Sequence, residues 1–362
     1  MSGGAMSGAA MGGAAMGGAA MGGAAMGADM ASAGATSGAE AGDADVPRIP
    51  GDPVCGMTWG WVGTRGTWAT PEAADSMRLM AQHGVTWTAL AYAAEQATAF
   101  STDIPFDDGP QVGDDEIVGA IRAAHALGLR VCLKPVVNVA DGTWRAHIGF
   151  FDWDVPGEPS WTEWFASYRR FILHAARIAE AEGCAMLCVG CEMVRADSRE
   201  AEWRALIAEV RAVYSGLVTY NCDKYQEDRV TWWDAVDVIS SSGYYPIDGW
   251  EAQLDRIEAV VAASGKPFFF MEAGCPSRTG SAARPNDWTL PGSPSGEEQL
   301  RYYEAMFDAV RARPWVRGLM LWDWPARLYP EQDAVANDDY CPFGKPAGEL
   351  MAARYRDWSA RG

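Results

Sequence analysis

Positive charge is in short supply in this sequence. Its 362 residues hold 29 Lys and Arg against 48 Asp and Glu, a formal charge of −19. A field of that sign repels phosphate backbones and anionic lipid surfaces, which argues against nucleic acid or a membrane as partner. Long apolar runs are missing too, since no stretch approaches the roughly 20 apolar residues of a membrane span. Histidine is scarce: His83, His125, His147 and His174 fall in expected helices or loops, none at an expected strand end. Metal-dependent hydrolysis that gathers several histidines in one mouth is therefore disfavoured. The first 30 residues lack the basic and Leu/Val-rich parts of a secretory leader, so the expected location is the cytoplasm.

Residues 1–45 contain no Lys, Arg, His or aromatic side chain, and the unit MGGAA recurs at positions 11, 16 and 21. Gly-rich sequence without large side chains cannot offset its ordering entropy. A disordered Gly/Ala/Met-rich tail is expected over 1–45, followed by one folded domain over 46–362.

What the chain does have is core material, with 49% hydrophobic and 21% charged residues. Eight cysteines, at 55, 132, 184, 188, 191, 222, 275 and 341, sit mostly inside apolar runs. Cys188 and Cys191 make a CxxC, but no second pair or nearby His completes a zinc set. Reduced thiols, no metal and no cofactor are expected. Seventeen Trp and twelve Tyr exceed ordinary packing needs and suit stacking on sugars or a broad apolar cleft.

From Val46 onward short apolar runs alternate with amphipathic stretches, the pattern of repeated βα units. Strands are expected at 54–59, 85–92, 129–136, 185–191, 217–220, 236–240, 267–271 and 317–322. Helices are expected at 71–83, 113–127, 159–182, 199–214, 224–234, 250–263, 296–312 and 345–360. Thr70-Pro71 marks one helix start, and Gly84 and Gly128 follow two helix ends. Eight such units define an α/β fold of the (β/α)8 TIM-barrel type, a single domain whose active site lies where the strands end. A doubly wound open sheet is the rival, but GMTWGWVGTRG places bulky Trp where a phosphate-binding turn needs Gly.

The strand ends supply Trp59, Tyr92, Lys134, Asn138, Glu192, Asn221, Tyr244, Tyr245, Glu272, Trp322 and Asp323. Glu192 follows MLCVGC and Glu272 follows PFFFM, so each acid ends a run that should be buried. A carboxylate there is costly unless it is paired, hydrogen-bonded or facing a cleft. An ion pair at the rim would account for each acid alone. Their joint position at the fourth and seventh strands places them across the mouth, where two carboxyls about 5 to 5.5 Å apart perform retaining glycoside hydrolysis. Lys134 at a strand end could instead form a Schiff base, but that chemistry leaves both glutamates and the aromatics without roles. Trp144, Arg145 and Trp288 lie in the two longest loops, and the two tryptophans are candidate sugar platforms.

The chain resembles glycoside hydrolases of clan GH-A, and most closely glycoside hydrolase family 113, whose known members are β-1,4-mannanases. The resemblance runs from about Cys55 to Trp358 through GMTWGW, FDDGPQVGDDEIVGAIRAAHALGLRVCLKP, WFASYRRFILHAARIAE, VGCEM, WRALIAEVRAVYSGLVTYN, WWDAVDVISSSGYYP and DDYCPFGKPAGELM. It implies that Glu192 is the acid/base and Glu272 the nucleophile. Tyr244, Tyr245 and Trp322 are then placed like cleft residues and Lys134 like a structural or substrate-contacting lysine; with Trp59, Asn138, Asn221 and Asp323 from the strand ends and Trp288 from its loop, they are the expected sugar contacts. The family usually has His where this chain has Val136, Thr where it has Cys191 and Tyr where it has Cys275. The activity so implied is cofactor-free, retaining hydrolysis of short β-1,4-linked oligosaccharides, mannose-type. Glu192 is expected to be protonated through desolvation and repulsion from its partner. The alternatives are a non-catalytic carbohydrate-binding barrel and a retaining glycosidase for β-linked xylose, glucose or N-acetylhexosamine.

Overall fold

A computed structural model of the chain describes residue 49 and residues 53–61, 63–107 and 109–360. The tail expected over 1–45 lies outside the described residues. Eight parallel strands close on themselves in sequence order: β1 Val54–Trp59, β2 Trp87–Gln96, β3 Arg130–Val139, β4 Met186–Cys191, β5 Leu217–Cys222, β6 Val238–Gly243, β7 Phe268–Ala273 and β8 Val316–Trp324. This is the expected (β/α)8 barrel.

Among the described residues seven α-helices surround it: α1 Pro71–Gln82, α2 Asp114–Ala126, α3 Trp161–Ala181, α4 Glu200–Arg211, α5 Trp250–Ser264, α6 Gly296–Arg311 and α7 Pro346–Ser359. Local chemistry explains their ends. The Thr70 hydroxyl accepts from Ala73 N with Pro71 in the first turn, and Ser160 with Glu163 closes a capping box on α3. Gly84 and Gly128 take positive φ just beyond α1 and α2, a conformation that costs glycine nothing sterically.

The helix expected at 224–234 is not formed; turns and a single 3-10 turn at Trp233–Ala235 replace it. Its apolar residues pack individually instead of along one face. Trp232 stacks on Trp203 of α4 at 5.1 Å and donates to the Asp197 carbonyl, while Trp233 donates to the Glu227 carbonyl.

Strand parity divides the core. Val54, Ala89, Cys132, Cys188, Val238, Phe269, Met271 and Met320 fill the barrel interior, and their neighbours Cys55, Leu133, Val189, Ile239, Phe268 and Phe270 face the helices. Among the described residues four register shifts interrupt the pairing: two where β8 pairs with β1 and with β7, one between Cys188 and Cys191 on β4, and one opposite Ser241 and Ser242, where β7 passes from Phe270 to Glu272. An extra residue in a strand re-aims the side chains beyond it. The β4 and β7 shifts lie just before the two glutamates.

Candidate active site

Both glutamates come to the mouth of the barrel, Glu192 directly after β4 and Glu272 in β7, and each is nearly fully buried. Glu192 adopts φ 53°, a left-handed conformation uncommon for a residue with a side chain and costly unless its surroundings hold it. Its backbone N–H donates to the Asn221 carbonyl at 2.8 Å, and the next N–H, of Met193, donates to the Tyr220 hydroxyl at 3.0 Å.

The two carboxylates have different partners. Glu272 Oε1 is ion-paired with the buried Lys134 ammonium and accepts from Asn221 Nδ2 at 3.2 Å and the Cys191 thiol at 3.5 Å. Its Oε2 accepts from the Tyr244 hydroxyl at 2.9 Å. Glu192 Oε1 accepts from Ser242 Oγ at 2.8 Å, and Oε2 accepts from Arg145 Nη1 at 2.9 Å and Trp144 Nε1 at 3.3 Å. Asn221 also donates to Ser242 Oγ at 3.4 Å, so Ser242 and Asn221 form a hydrogen-bonded link between the acids.

This wiring corrects the expected protonation of Glu192. Burial raises its carboxyl, but the Arg145 charge, the Ser242 hydrogen bond and the Lys224 and Lys134 charges outweigh it and hold the group below the usual carboxylate range. Burial instead pushes the neighbouring Asp223 up to about 8, helped by the Glu192 charge. Lys134 is raised: burial works against its charge, but the ion-paired Glu272 carboxylate outweighs that penalty. An ammonium so held is no Schiff-base nucleophile.

Aromatic rings complete the cleft. Tyr244, Trp322 and Tyr340 form a buried group with Trp61 against it, and Trp322 lies 5.4 Å from Trp61 and 5.5 Å from Lys134 Nζ. Trp288 sits on Tyr340 at 4.6 Å with half of its surface exposed, at the rim. Asp323 follows Trp322 and is pushed up to about 8, first by burial and then by the Asp339 and Glu272 charges.

Not every expected contact faces the mouth. Trp59 is turned outward on β1, packs on Trp68 at 5.0 Å and donates to Ser76 of α1. Tyr245 also points outward, packing on Trp250 and donating to the buried Glu227. Tyr92 packs edge-on to Phe171 of α3. These three belong to the layer between barrel and helices, because their strand parity is that of the outer face. Lys134, Val136 and Asn138 share the inward face of β3. Cys275 is buried outward, 3.2 Å from Ser281 Oγ. Of the groups holding Glu192, Ser242 was not singled out in the sequence, although it lies two residues before Tyr244 on the same face.

A barrel of this topology, with two differently wired carboxyls at the ends of its fourth and seventh strands and an aromatic cleft above them, is that of a glycoside hydrolase. The chain belongs to Glycoside Hydrolase Family 113, whose family model matches residues 57–345. A GH113 β-1,4-mannanase structure is 55% identical, with a TM-score of 0.83, covering 84% of this chain and 99% of that one. The GH113 β-mannanase AaManA from Alicyclobacillus acidocaldarius, solved in complex with ManMIm, is 48% identical with a TM-score of 0.83, covering 85% and 98%. A Bifidobacterium dentium β-glucuronidase at 15% identity and a TM-score of 0.56, covering 84% and 46%, shares the fold. No curated protein matches the chain.

Proposed function

We propose that this protein is a retaining β-mannanase acting on short β-1,4-linked oligosaccharides, with Glu272 as nucleophile and Glu192 as acid/base. The observation that carries the assignment is the asymmetric wiring. Glu272 takes a buried ammonium, an amide and a phenol, which aim it for attack. Glu192, on the far side of the Ser242–Asn221 link, has one edge toward the long β3–α3 loop, where a leaving sugar would depart. In the first step Glu272 bonds to the anomeric carbon, the glycosidic C–O bond breaks, and its oxygen takes the Glu192 proton. In the second, Glu192 accepts a proton from water, the water oxygen bonds to the anomeric carbon, and the Glu272–sugar bond breaks.

Lys134, Asn138, Asn221, Tyr244, Trp288, Trp322 and Asp323 are the proposed sugar contacts; Trp59 and Tyr245 drop out because they face the helices. The 48 to 55% identity to β-mannanases supports mannose over xylose, glucose or N-acetylhexosamine. Residues 46–362 form the proposed catalytic domain. A cytoplasmic location is part of the reading, supported by eight cysteines that are all buried thiols. Among the described residues no helix is long and apolar enough to cross a membrane.

The test is product analysis on β-1,4-linked manno-, cello- and xylo-oligosaccharides, with NMR of the first-formed anomer. Preferential cleavage of the manno series with retention supports the reading. Cleavage of another series alone, or inversion, overturns it.

A further inference from the structure

We infer that Arg145 is a positioning residue that clamps Glu192 in its ionised, water-activating form and thereby sets the alkaline limit of the enzyme's activity. This rests on the proposed role of Glu192 as acid/base.

The geometry is that of a built clamp. Arg145 lies in a 3-10 turn, Arg145–His147, in the loop after β3, and its guanidinium is almost fully buried. Nη1 donates to Glu192 Oε2 at 2.9 Å, Nη2 to Asn138 Oδ1 at 2.8 Å and Nε to the Val137 carbonyl at 3.2 Å, while the group lies 5.7 Å from the Trp61 ring centroid. A planar fork held at three points loses little freedom when it engages a carboxylate. Both partners are buried, so solvent does little to screen the charge.

Other groups bear on Glu192. Lys134 from β3 and Lys224 after β5 add positive charge. Asp223 after β5 is pushed up to about 8 by burial and the Glu192 charge, and Glu272 of β7 lies across the Ser242–Asn221 link. Tyr244, directly after β6, and Cys191 of β4 are kept neutral by burial. Among the positive groups only Arg145 touches the Glu192 carboxylate, so it makes the largest favourable contribution to the charged form.

The consequence is asymmetric between the two half-reactions. Glycosylation needs a proton on Glu192, and a guanidinium at 2.9 Å works against keeping it. Deglycosylation needs the carboxylate as base, and the same guanidinium supplies it. The clamp therefore favours turnover of the glycosyl-enzyme at the expense of cleavage at high pH.

The test compares pH profiles of kcat/KM on an unactivated β-1,4-manno-oligosaccharide for the native enzyme, Arg145→Gln, Arg145→Lys and Asn138→Ala. With Arg145→Gln the alkaline limb should move up by about one pH unit or more, the size expected for losing one adjacent opposite charge. The acid limb should move less than the alkaline limb. Arg145→Lys keeps the charge and should fall nearer the native profile. Asn138→Ala, which loosens the guanidinium without removing it, should move the limb partway and carries the test if Arg145→Gln does not fold. Unmoved alkaline limbs with uniformly lower rates overturn the inference, as does Arg145→Lys behaving like Arg145→Gln. Native-like cleavage of the same substrate by Glu192→Gln would instead overturn the acid/base reading itself, whatever the Arg145 variants do.

Discussion

Lys134 and Glu272, 138 residues apart in sequence, meet as a buried ion pair inside the barrel. Neither side chain could sit there alone, because an unpaired charge at that depth costs several kcal/mol. The pair explains why a lysine occupies an inward position of β3, and it fixes the carboxylate opposite Glu192.

Removing one partner leaves the other exposed to that cost. Lys134→Met should destabilise the protein by about 3 to 5 kcal/mol in denaturant unfolding. It should also lower kcat/KM by at least about a hundredfold, as expected when a charged group at the reacting centre is lost. Stability close to native would show that the ion pair contributes little.

Tyr244→Phe removes one hydrogen bond from the same carboxylate and leaves the ring in place. A hydrogen bond to a charged group is worth about 1.5 to 3 kcal/mol, so kcat/KM should drop by roughly ten- to a hundredfold while the melting temperature changes little. A loss of less than threefold would separate Tyr244 from the reaction.

Three acids, Asp197 and Asp223 buried and Asp323 half-buried, give the fold a pH signature. Burial pushes Asp197 up to about 7 against the opposing hydrogen bond from Tyr220, and pushes Asp223 and Asp323 up to about 8. A carboxyl raised in the folded state binds more protons there than when unfolded. Stability should therefore fall as pH rises from about 4 to 8, on the order of 1 kcal/mol per pH unit for each group titrating. Asp197→Asn should flatten that slope by one group's share between pH 4 and 7. Unfolding curves at four pH values with the same slope in both proteins would contradict the assignment.

The thiols should be counted in two states. All eight cysteines are buried, and burial raises Cys132, Cys191 and Cys222 well above the usual thiol range. Native protein should react slowly with a disulfide reagent and denatured, unreduced protein should yield eight thiols. Four or fewer would refute a reduced, cytoplasmic protein.

The sequence was most readable where periodicity alone decides. All eight strands and seven of the eight expected helices follow from alternating apolar runs, since burial on two faces or one stripe imposes those periods. The helix expected at 224–234 does not form; there Trp232 stacks on Trp203 and donates to the Asp197 carbonyl, while Trp233 donates to the Glu227 carbonyl, contacts that a local period does not encode. At the site, strand ends located the two glutamates and Tyr244, but not the direction of every side chain. Trp59 and Tyr245 needed a count of inward and outward positions, and on β4 and β7 register shifts break that count. Arg145 stood out only as a loop residue; its contact with Glu192 depends on how the loop after β3 folds back, which no local pattern encodes.

In the proposed mechanism Glu272 forms the covalent bond to the sugar while Glu192 handles the proton. A 2-fluoro β-glycoside inactivator slows both half-reactions and traps the glycosyl-enzyme, so mass spectrometry of the labelled peptide reads the nucleophile directly. The label should fall on Glu272, and Glu192→Gln should still be labelled when the leaving group departs without protonation. A label on any other residue, Glu192 included, would contradict the account.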